Sequence, residues 1–479
     1  MGADTPSSGL EFKVSLDVRR DQQPHHDARI DAHLRVKAIG IGPRDEVPAV
    51  ELAVVLALDV AAGRREAASA ALAATLRALP DGASFAVLGG ADESGEPTLC
   101  YPLRGRWAVA DTMERRRAAF SAGRIAPAAP ERPPPGYPAW LAAARALLAG
   151  RPLPLRHLLL ITDGSGRGPA DDAEPDGGGC ALQEELASCE GVFTADVVAV
   201  GGDWDPAPLL AVSESLHGTA EHAPDRFAPA VTGALRRLRR VRSPELPVVV
   251  TARPAVRAVE LTETAPRQQR LEPAPRPREQ VWLPHRTDFP THQWEPGIRD
   301  YLLTVHADAS TDPLGVLLQL ATVSVGDATT ALLVRWLPPG VAVGAGATGG
   351  WGGTLRAMNA ATRMRTALNR GYAALDPMSR DEAEAQFGLA VRLANEIGAA
   401  WVLQDVRQVA DILDGPGGVV RVGPTVDRGT VRRGRLHIAS GHGLELPGPT
   451  PAKKPVKCPH CRHPAGPRAR FCIACGRNL

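Results

Sequence analysis

The sequence predicts a multidomain α/β protein in which a mostly parallel sheet is inserted in an antiparallel β-sandwich. Two apolar runs, Leu52–Gly63 and His157–Gly164, have the composition of strands buried on both faces of a parallel sheet. Apolar and polar residues alternate at 29–38 and in several segments after 247, as is typical of half-buried antiparallel strands. At 479 residues the chain is too long for one hydrophobic core, so several domains are expected.

The composition and charge of the chain exclude few classes of protein. Lys and Arg number 55 and Asp and Glu number 53, so the net charge of +2 indicates no particular partner. No apolar run approaches the ~18 residues that a membrane-spanning helix needs, and the first residues lack the basic-then-apolar order of a signal peptide. We therefore expect a cytoplasmic protein without a membrane partner, in which the scattered Cys100, Cys180 and Cys189 stay reduced.

The segments 9–45 and 247–338 are expected to form one antiparallel β-sandwich. Apolar and charged residues alternate in Arg29–Ala38, which predicts a strand with one buried and one exposed face, and Leu10–Val18 is its expected partner. Two strands are not stable alone, so they need the strands beyond residue 247. Those strands are predicted at Val248–Arg253, Val256–Thr262, Ile298–Asp308, Gly315–Gly326 and Thr329–Leu337.

An α/β domain is expected at 50–242, between the two parts of the sandwich. Strands alternate with helices there, which predicts βαβ units and a mostly parallel sheet. Further strands are predicted at Ser84–Gly89 and Phe193–Gly201. Helices are predicted at Arg64–Leu79, Ala108–Ser121, Trp140–Leu148, Ala181–Ser188, Pro208–Leu216 and Ala228–Arg242.

Asp59 and Asp163 end the two apolar runs and are the candidate site residues of this domain. Ligands of open α/β sheets bind at the carboxyl ends of the strands, so both carboxylates are expected at the same edge. Carboxylates in such positions also form turns and cap helices, and this is the interpretation that we prefer for both residues.

Three stretches of the α/β domain together resemble the von Willebrand factor A (VWA) domain: LAVVLALDVAAG, HLLLITDG and VVAVGGDWDPAPLLAVSESLHG. The resemblance extends across most of 50–242 and implies a Rossmann-like fold that binds other proteins. With the modules that follow, the chain is also similar to a group of bacterial cytosolic VWA proteins.

The resemblance also implies a metal-ion-dependent adhesion site, which is degenerate in this sequence. In VWA domains a divalent cation is held by an Asp and two hydroxyls of the first loop, a Thr of a second loop and an Asp after the fourth strand. Asp59 and Asp163 match the carboxylates, but Ala61 and Gly63 stand at the hydroxyl positions, and 124–150 contains no Ser or Thr. Mg²⁺ requires oxygen ligands in a near-octahedral array, so Mg²⁺ binding is not expected.

A helical unit is predicted at 354–414. The preceding Gly-rich stretch, 340–353, contains a GxGxxG pattern but lacks the strand and the acid that a dinucleotide site needs, so we interpret it as a hinge. Ser379 and Glu382 are spaced as a capping box. Helices are predicted at Thr354–Leu375 and Ser379–Ile397, which form a hairpin, and at Ala400–Leu413; short strands are predicted at 419–440 and a linker at 442–456.

The tail, 457–479, carries the most specific chemical signal of the chain. Two CxxC pairs supply Cys458, Cys461, Cys472 and Cys475. Four thiolates in two such pairs close a tetrahedral zinc site without an open position, and a module this short depends on the metal for its folding energy. We therefore expect a structural zinc ribbon. A redox function would require only one CxxC pair, in a thioredoxin-like setting.

Three classes of function are relevant to this sequence: an enzyme, a protein-interaction scaffold and a nucleic-acid-binding protein. No P-loop, HExxH, kinase signature or GxSxG elbow is present, so enzymatic activity is not expected and no small-molecule substrate is identified. The preferred hypothesis is a non-catalytic protein-interaction scaffold or adaptor, whose partner the sequence does not identify. The alternative is a nucleic-acid-binding protein, because 452–479 contains seven Lys and Arg residues and no acidic residue.

Overall fold

A computed structural model describes residues 9–41, 50–60, 65–92, 94–122, 134–164, 177–202, 204–223, 227–275, 286–341, 351–375 and 379–439, and residues 456, 457, 459, 464 and 465 of the tail. The described chain consists of a mixed α/β sheet, a mainly antiparallel sandwich in which β2 pairs parallel with β19, and a mainly helical unit. No helix in these ranges combines the length and the apolar character that crossing a bilayer requires.

The strands, in chain order, are β1 Leu10–Val18, β2 Asp21–Gln22, β3 Ala28–Gly40, β4 Leu52–Asp59, β5 Ser84–Ala91, β6 Pro97–Tyr101, β7 Ala108–Val109, β8 Leu155–Thr162, β9 Thr194–Val200, β10 Ala220–Ala223, β11 Ser243–Glu245, β12 Val248–Ala252, β13 Val256–Ala265, β14 Gln269–Leu271, β15 Arg286–Phe289, β16 His292–Trp294, β17 Gly297–Ala307, β18 Leu317–Val325, β19 Ala328–Trp336, β20 Ala410–Asp414, β21 Val419–Val422, β22 Val456–Lys457 and β23 Pro464–Ala465. The helices are α1 Arg65–Ala78, α2 Thr112–Ala122, α3 Tyr137–Leu148, α4 Gly177–Cys189, α5 Pro206–Ser215, α6 Phe227–Arg240, α7 Trp351–Leu375, α8 Arg380–Ile397, α9 Ala400–Val406 and α10 Arg428–Ala439.

The α/β domain is built on a sheet of order β10-β9-β8-β4-β5-β6, with β7 paired to β5. The pairs from β10 to β5 are parallel, and β6 and β7 run antiparallel to β5. Helices α1, α2 and α6 cover one face, and α3, α4 and α5 cover the other. Because β4 lies at the centre of this sheet, all of its residues are buried, as its continuous apolar run predicts.

The sandwich is formed by sheets of order β1-β3-β17-β13-β14 and β15-β12-β18-β19-β2. Strand β3, before the α/β domain in sequence, pairs with β17, after it, from Ala28 opposite Ala307 to Ala38 opposite Gly297. The α/β domain is therefore inserted between strands of one sandwich. The two sheets enclose a core with several large aromatic residues, including Phe289, Trp294, Tyr301 and Trp336.

One face of β3 is more buried than its alternating pattern predicts. His33 was expected on the exposed face, but its side chain is buried and contacts Asp300 through Nε2 at 2.8 Å. Arg35 donates to both oxygens of Asp300, at 2.7 and 2.9 Å. The exposed-face prediction is wrong for His33, because Leu302, its partner on β17, packs against the core of the helical unit.

In the helical unit, α7 and α8 pack against each other and enclose a core with α9, α10 and the β20–β21 hairpin. The helix predicted over Ala400–Leu413 is wrong in its second half, because it ends at Val406 and a strand begins at Ala410. Strand β20 pairs antiparallel with β21, so the chain forms a hairpin at 410–422 instead of continuing the helix.

The strands predicted within 419–440 are correct only for β21, because 428–439 forms a helix. Asp427 caps that helix and accepts a hydrogen bond from the backbone N–H of Thr430 at 2.9 Å. The helix predicted over Ala108–Ser121 likewise begins only at Thr112, since Ala108–Val109 pairs with β5. Asp111 accepts from the N–H of Glu114 at 2.7 Å and marks that start.

The capping box predicted at the start of α8 does not form. The side chain of Ser379 makes no cap hydrogen bond, and its backbone N–H donates instead to the carbonyl of Ala374 at 2.9 Å. Glu382 accepts from Gln386 at 2.9 Å. Both ends of the predicted box are thus engaged with other groups.

Candidate functional site

The candidate site lies at the carboxyl ends of β4 and β8. Asp59 is the last residue of β4 and is paired in register with Thr162, the last residue of β8. Asp163 follows directly, and its backbone N–H donates to the carbonyl of Asp59 at 3.0 Å. The fold therefore brings the two sequence-predicted carboxylates to one edge. Both are buried, with 2% of Asp59 and 5% of Asp163 exposed.

Thr162 joins the two strand ends through its side chain. Its hydroxyl donates to Oδ2 of Asp59 at 2.6 Å and accepts from the backbone N–H of Gly164 at 3.0 Å. The side chain is fully buried. A hydroxyl has one hydrogen to donate, so the whole donor capacity of Thr162 is directed at Asp59.

Tyr137, the first residue of α3, extends this network. Its hydroxyl lies 3.4 Å from Oγ1 of Thr162. Because the Thr162 hydrogen points to Asp59, the phenol must be the donor in this contact. Burial, reinforced by the negative charge of Asp59, raises the pKa of Tyr137 and keeps the phenol protonated. The site thus contains a donor series from Tyr137 through Thr162 to Asp59.

Trp204 covers the turn that follows Asp163. Gly164 has a φ of +86°, and a Cβ at this position would lie 2.7 Å from Cα of Trp204, so only glycine fits. The indole of Trp204 is buried and donates to the carbonyl of Gly201 at 3.1 Å. Asp205 then caps α5 by accepting from the N–H of Ala207 at 3.0 Å.

Sequence reasoning identified Asp59 and Asp163 but missed Thr162, Tyr137 and Trp204. A signal was available for Thr162, because a hydroxyl at the end of a strand buried on both faces needs a polar partner. The contact of Tyr137 depends on how α3 packs over the sheet, and no local pattern encodes that packing. Trp204 appeared in the sequence only as part of the VWA-like stretch.

Asp59 is one of the two carboxylates that match the metal-ion-dependent adhesion site. One of its oxygens accepts a short hydrogen bond from Thr162, and the aligned hydroxyl positions, Ala61 and Gly63, lie outside the described residues. No group of three or more His, Cys, Asp or Glu side chains with metal-binding geometry occurs in the described ranges.

The predicted zinc ligands Cys458, Cys461, Cys472 and Cys475 also lie outside the described residues. Two short segments around the first CxxC pair are described. They form the antiparallel strands β22 and β23, with Val456 opposite Ala465.

Comparison with known proteins identifies the α/β domain. Residues 52–222 match the family model described as the von Willebrand factor type A domain, so the chain contains a VWA domain. No match was found among curated proteins.

Solved structures extend the likeness beyond this domain. One described as von Willebrand factor type A from Catenulispora acidiphila aligns with 91% of this chain and 98% of its own, with a TM-score of 0.74 and 20% identity. The ArnB paralog VWA2 from Sulfolobus acidocaldarius aligns with 90% of this chain and 99% of its own, with a TM-score of 0.50 and 10% identity. At these identities the likeness concerns the fold alone, and it covers sandwich and helical unit as well as VWA domain.

Proposed function

We propose that this protein is a non-catalytic interaction scaffold or adaptor, whose VWA domain binds a protein partner without Mg²⁺. The observation that carries the proposal is the 2.6 Å hydrogen bond from Thr162 to Asp59. A cation at this edge would compete with that bond for the carboxylate oxygen. The protein partner is therefore expected to recognise the surface of the loops directly.

Among the described residues, the cluster around His157 most resembles a catalytic set, and its burial supports a non-catalytic function. His157 contacts Thr194 through Nδ1 at 2.8 Å and Asp196 through Nε2 at 3.5 Å. This is a hydroxyl–imidazole–carboxylate series, but His157 is completely buried between strands. Thr194 also accepts a hydrogen bond from Gln293 at 2.7 Å. A base without access to a substrate cannot act on one, so we assign this cluster to stability.

The proposed scaffold includes a structural zinc ion held by Cys458, Cys461, Cys472 and Cys475. We expect one zinc per chain by elemental analysis of the purified protein. The double variant Cys458→Ser/Cys472→Ser should lose it, because two of four thiolates are removed. Retention of zinc by this variant would place the metal elsewhere.

The functional test is recovery of partners from a native lysate by the full-length protein. Parallel captures contain Mg²⁺, brief EDTA treatment that spares zinc, or nuclease. We expect the same defined proteins in all three. Loss of these proteins in EDTA with recovery on adding Mg²⁺ would refute the Mg²⁺-independent mode. Recovery of nucleic acid alone, abolished by nuclease, would favour the alternative function through the basic tail.

A further inference from the structure

A cavity of about 240 Å³ lies where the VWA domain meets the sandwich. The VWA domain contributes the turn before β10 and a side chain of α6, and the sandwich contributes β14, β16 and the ends of β13 and β17. The turn before β10 lies at the amino ends of the parallel strands, whereas Asp59 lies at the carboxyl ends. The cavity is therefore separate from the site at Asp59, and junctions between domains commonly hold small-molecule sites.

Glu263 is the unusual residue of this cavity wall. It is 6% exposed, and it stands opposite Tyr301 on the core face of its sheet. Among the described residues its carboxylate accepts no hydrogen bond and has no cation within ion-pair distance. Burial raises the pKa of Glu263, and the more distant charges of Arg299 and Arg267 oppose that rise. A buried carboxylate without donors is costly, so a donor that enters the cavity would stabilise it.

Arg267 and Arg299 are the arginines of the cavity wall whose charge no ion pair among the described residues balances. Arg237 is already balanced by Glu221 at 2.9 Å, and Glu295 by Arg240 at 2.9 Å. Arg267 and Arg299 have no such ion pair in the described part of the chain.

Backbone carbonyls hold both of these guanidinium groups in place. Arg267 donates to the carbonyl of His217 at 2.7 Å, and Arg299 donates to those of His292 and Gln293 at 2.9 and 2.7 Å. The guanidinium of Arg299 also lies 4.2 Å from the ring centroid of Trp294. Each guanidinium has five N–H donors, so both groups are positioned and retain donor capacity.

His217 and His292 form an aromatic part of the wall. Their rings stack with centroids 4.0 Å apart. Burial lowers the pKa of His217 to about 3 and that of His292 to about 4, so both imidazoles are neutral at pH 7. They add a flat surface without further charge. The unbalanced charges of the cavity are thus one carboxylate and two guanidinium groups.

We propose that this cavity binds a small zwitterion of the α-amino-acid class, with its ammonium group on Glu263 and its carboxylate on Arg267 and Arg299. An ammonium group supplies the donors that Glu263 lacks, and a guanidinium binds a carboxylate through two parallel N–H bonds. At 240 Å³ the cavity is smaller than the ~300–1,000 Å³ of pockets for drug-sized ligands, which limits its occupant to a small metabolite.

The test uses the full-length protein and the free L-α-amino acids, screened singly by thermal shift at pH 7 and then by calorimetry. We expect at least one amino acid to bind with a Kd below about 1 mM. Two derivatives of that amino acid serve as controls. The N-acetyl derivative lacks the ammonium group, and the C-terminal amide lacks the carboxylate. Each should bind at least about tenfold more weakly, because the N-acetyl derivative leaves the buried Glu263 without a cation and the amide leaves two part-buried guanidinium groups without an anion.

Two variants locate the binding site. Glu263→Gln is nearly isosteric. It should weaken binding of the amino acid at least about tenfold while the protein stays folded. Ile298 lines the cavity and is 50% exposed, so Ile298→Trp should obstruct the entrance without disturbing the core. Val419, on the helical unit, is 49% exposed, and Val419→Trp is the matched control that should bind normally.

Three results would overturn the proposal. The first is that no amino acid binds at a ligand concentration about ten times the stated Kd. The second is binding that Glu263→Gln and Ile298→Trp leave unchanged. The third is binding of inorganic phosphate and of the N-acetyl derivative as tightly as the amino acid, which would define a simple anion site. Because the cavity and the Asp59 edge lie at opposite ends of the sheet, these results are independent of the capture of protein partners.

Discussion

At the scale of single residues, the chemistry of the VWA edge depends on which groups hold Asp59. The hydroxyl of Thr162 serves one carboxylate and one backbone N–H at the same time, at 2.6 and 3.0 Å. Asp59 therefore has a hydrogen-bond partner within the sheet, the hydroxyl of Thr162.

Replacing Thr162 by Val should destabilise the VWA domain by about 1–3 kcal/mol, because Asp59 and the N–H of Gly164 both lose a buried hydrogen bond. Thr162→Ser keeps the hydroxyl and should cost about 1 kcal/mol for the lost methyl group. The measurement is the thermal midpoint of each full-length variant, followed by circular dichroism. Equal midpoints for the two variants would show that the hydroxyl is not needed.

At the scale of elements, glycines set how closely the parts of the helical unit approach. Gly388 lies inside α8, where the β20–β21 hairpin crosses it. A Cβ on Gly388 would lie 2.2 Å from the carbonyl oxygen of Gly418. By contrast, a Cβ on Gly233, inside α6, would have only the end of the Arg237 side chain nearby, at 3.9 Å.

These two glycines should therefore respond with opposite signs to the same substitution. Gly→Ala in a helix stabilises by up to about 1 kcal/mol where space allows, and Gly233→Ala should do so. Gly388→Ala should destabilise by about 1–3 kcal/mol, because the methyl group meets backbone that cannot rotate away. The thermal midpoints of both variants measure this difference. A rise in the midpoint of Gly388→Ala would mean that the hairpin does not pack on α8 this closely.

At the scale of the whole molecule, polar and charged residues join the VWA domain to the sandwich. His217 belongs to the VWA domain and His292 to the sandwich, and their rings stack across the junction. Arg267, Arg299 and Glu263 also line the cavity at this junction. Protonation of either imidazole would place a cation beside the other ring and near the two arginines. The junction should therefore be weakened by acid.

The sign of this effect follows from the pKa values. Burial lowers the pKa of His217 to about 3 and of His292 to about 4 from the ordinary 6.5. Between about pH 6.5 and pH 4 the unfolded chain thus binds more protons than the folded protein, and stability falls as the pH decreases.

We expect the double variant His217→Gln/His292→Gln to lose part of this acid sensitivity. Between pH 7 and pH 4.5 its melting temperature should fall by several degrees less than that of the natural chain, since these histidines account for stability on the order of a few kcal/mol. Melting curves at half-unit pH intervals measure the difference. Parallel curves for the two proteins would contradict a role of the histidine pair.

Much of the architecture was accessible from local patterns. The continuous apolar runs that lead to Asp59 and Asp163 correctly predicted strands buried on both faces, because a strand between two layers of helices has no polar face. The alternation in 29–38 correctly predicted an antiparallel strand. At 410–414 the sequence fits both a helical and a strand period, and the predicted helix extended into a strand. At 428–439 strands were predicted because the helix cap at Asp427 was not recognised.

The sequence by itself determined that a mostly parallel α/β domain lies between antiparallel strands, and which carboxylates follow its central strands, because periodicity and chain order are local properties. Only the tertiary structure decided which polar groups meet. Thr162 faces Asp59 across two strands, and His33 is buried because a helical unit far along the chain covers its sheet. Glu263 lies in a cavity wall because two domains meet there. Burial of a polar group depends on everything packed around it, so its partner, and any ligand it selects, follows from long-range packing.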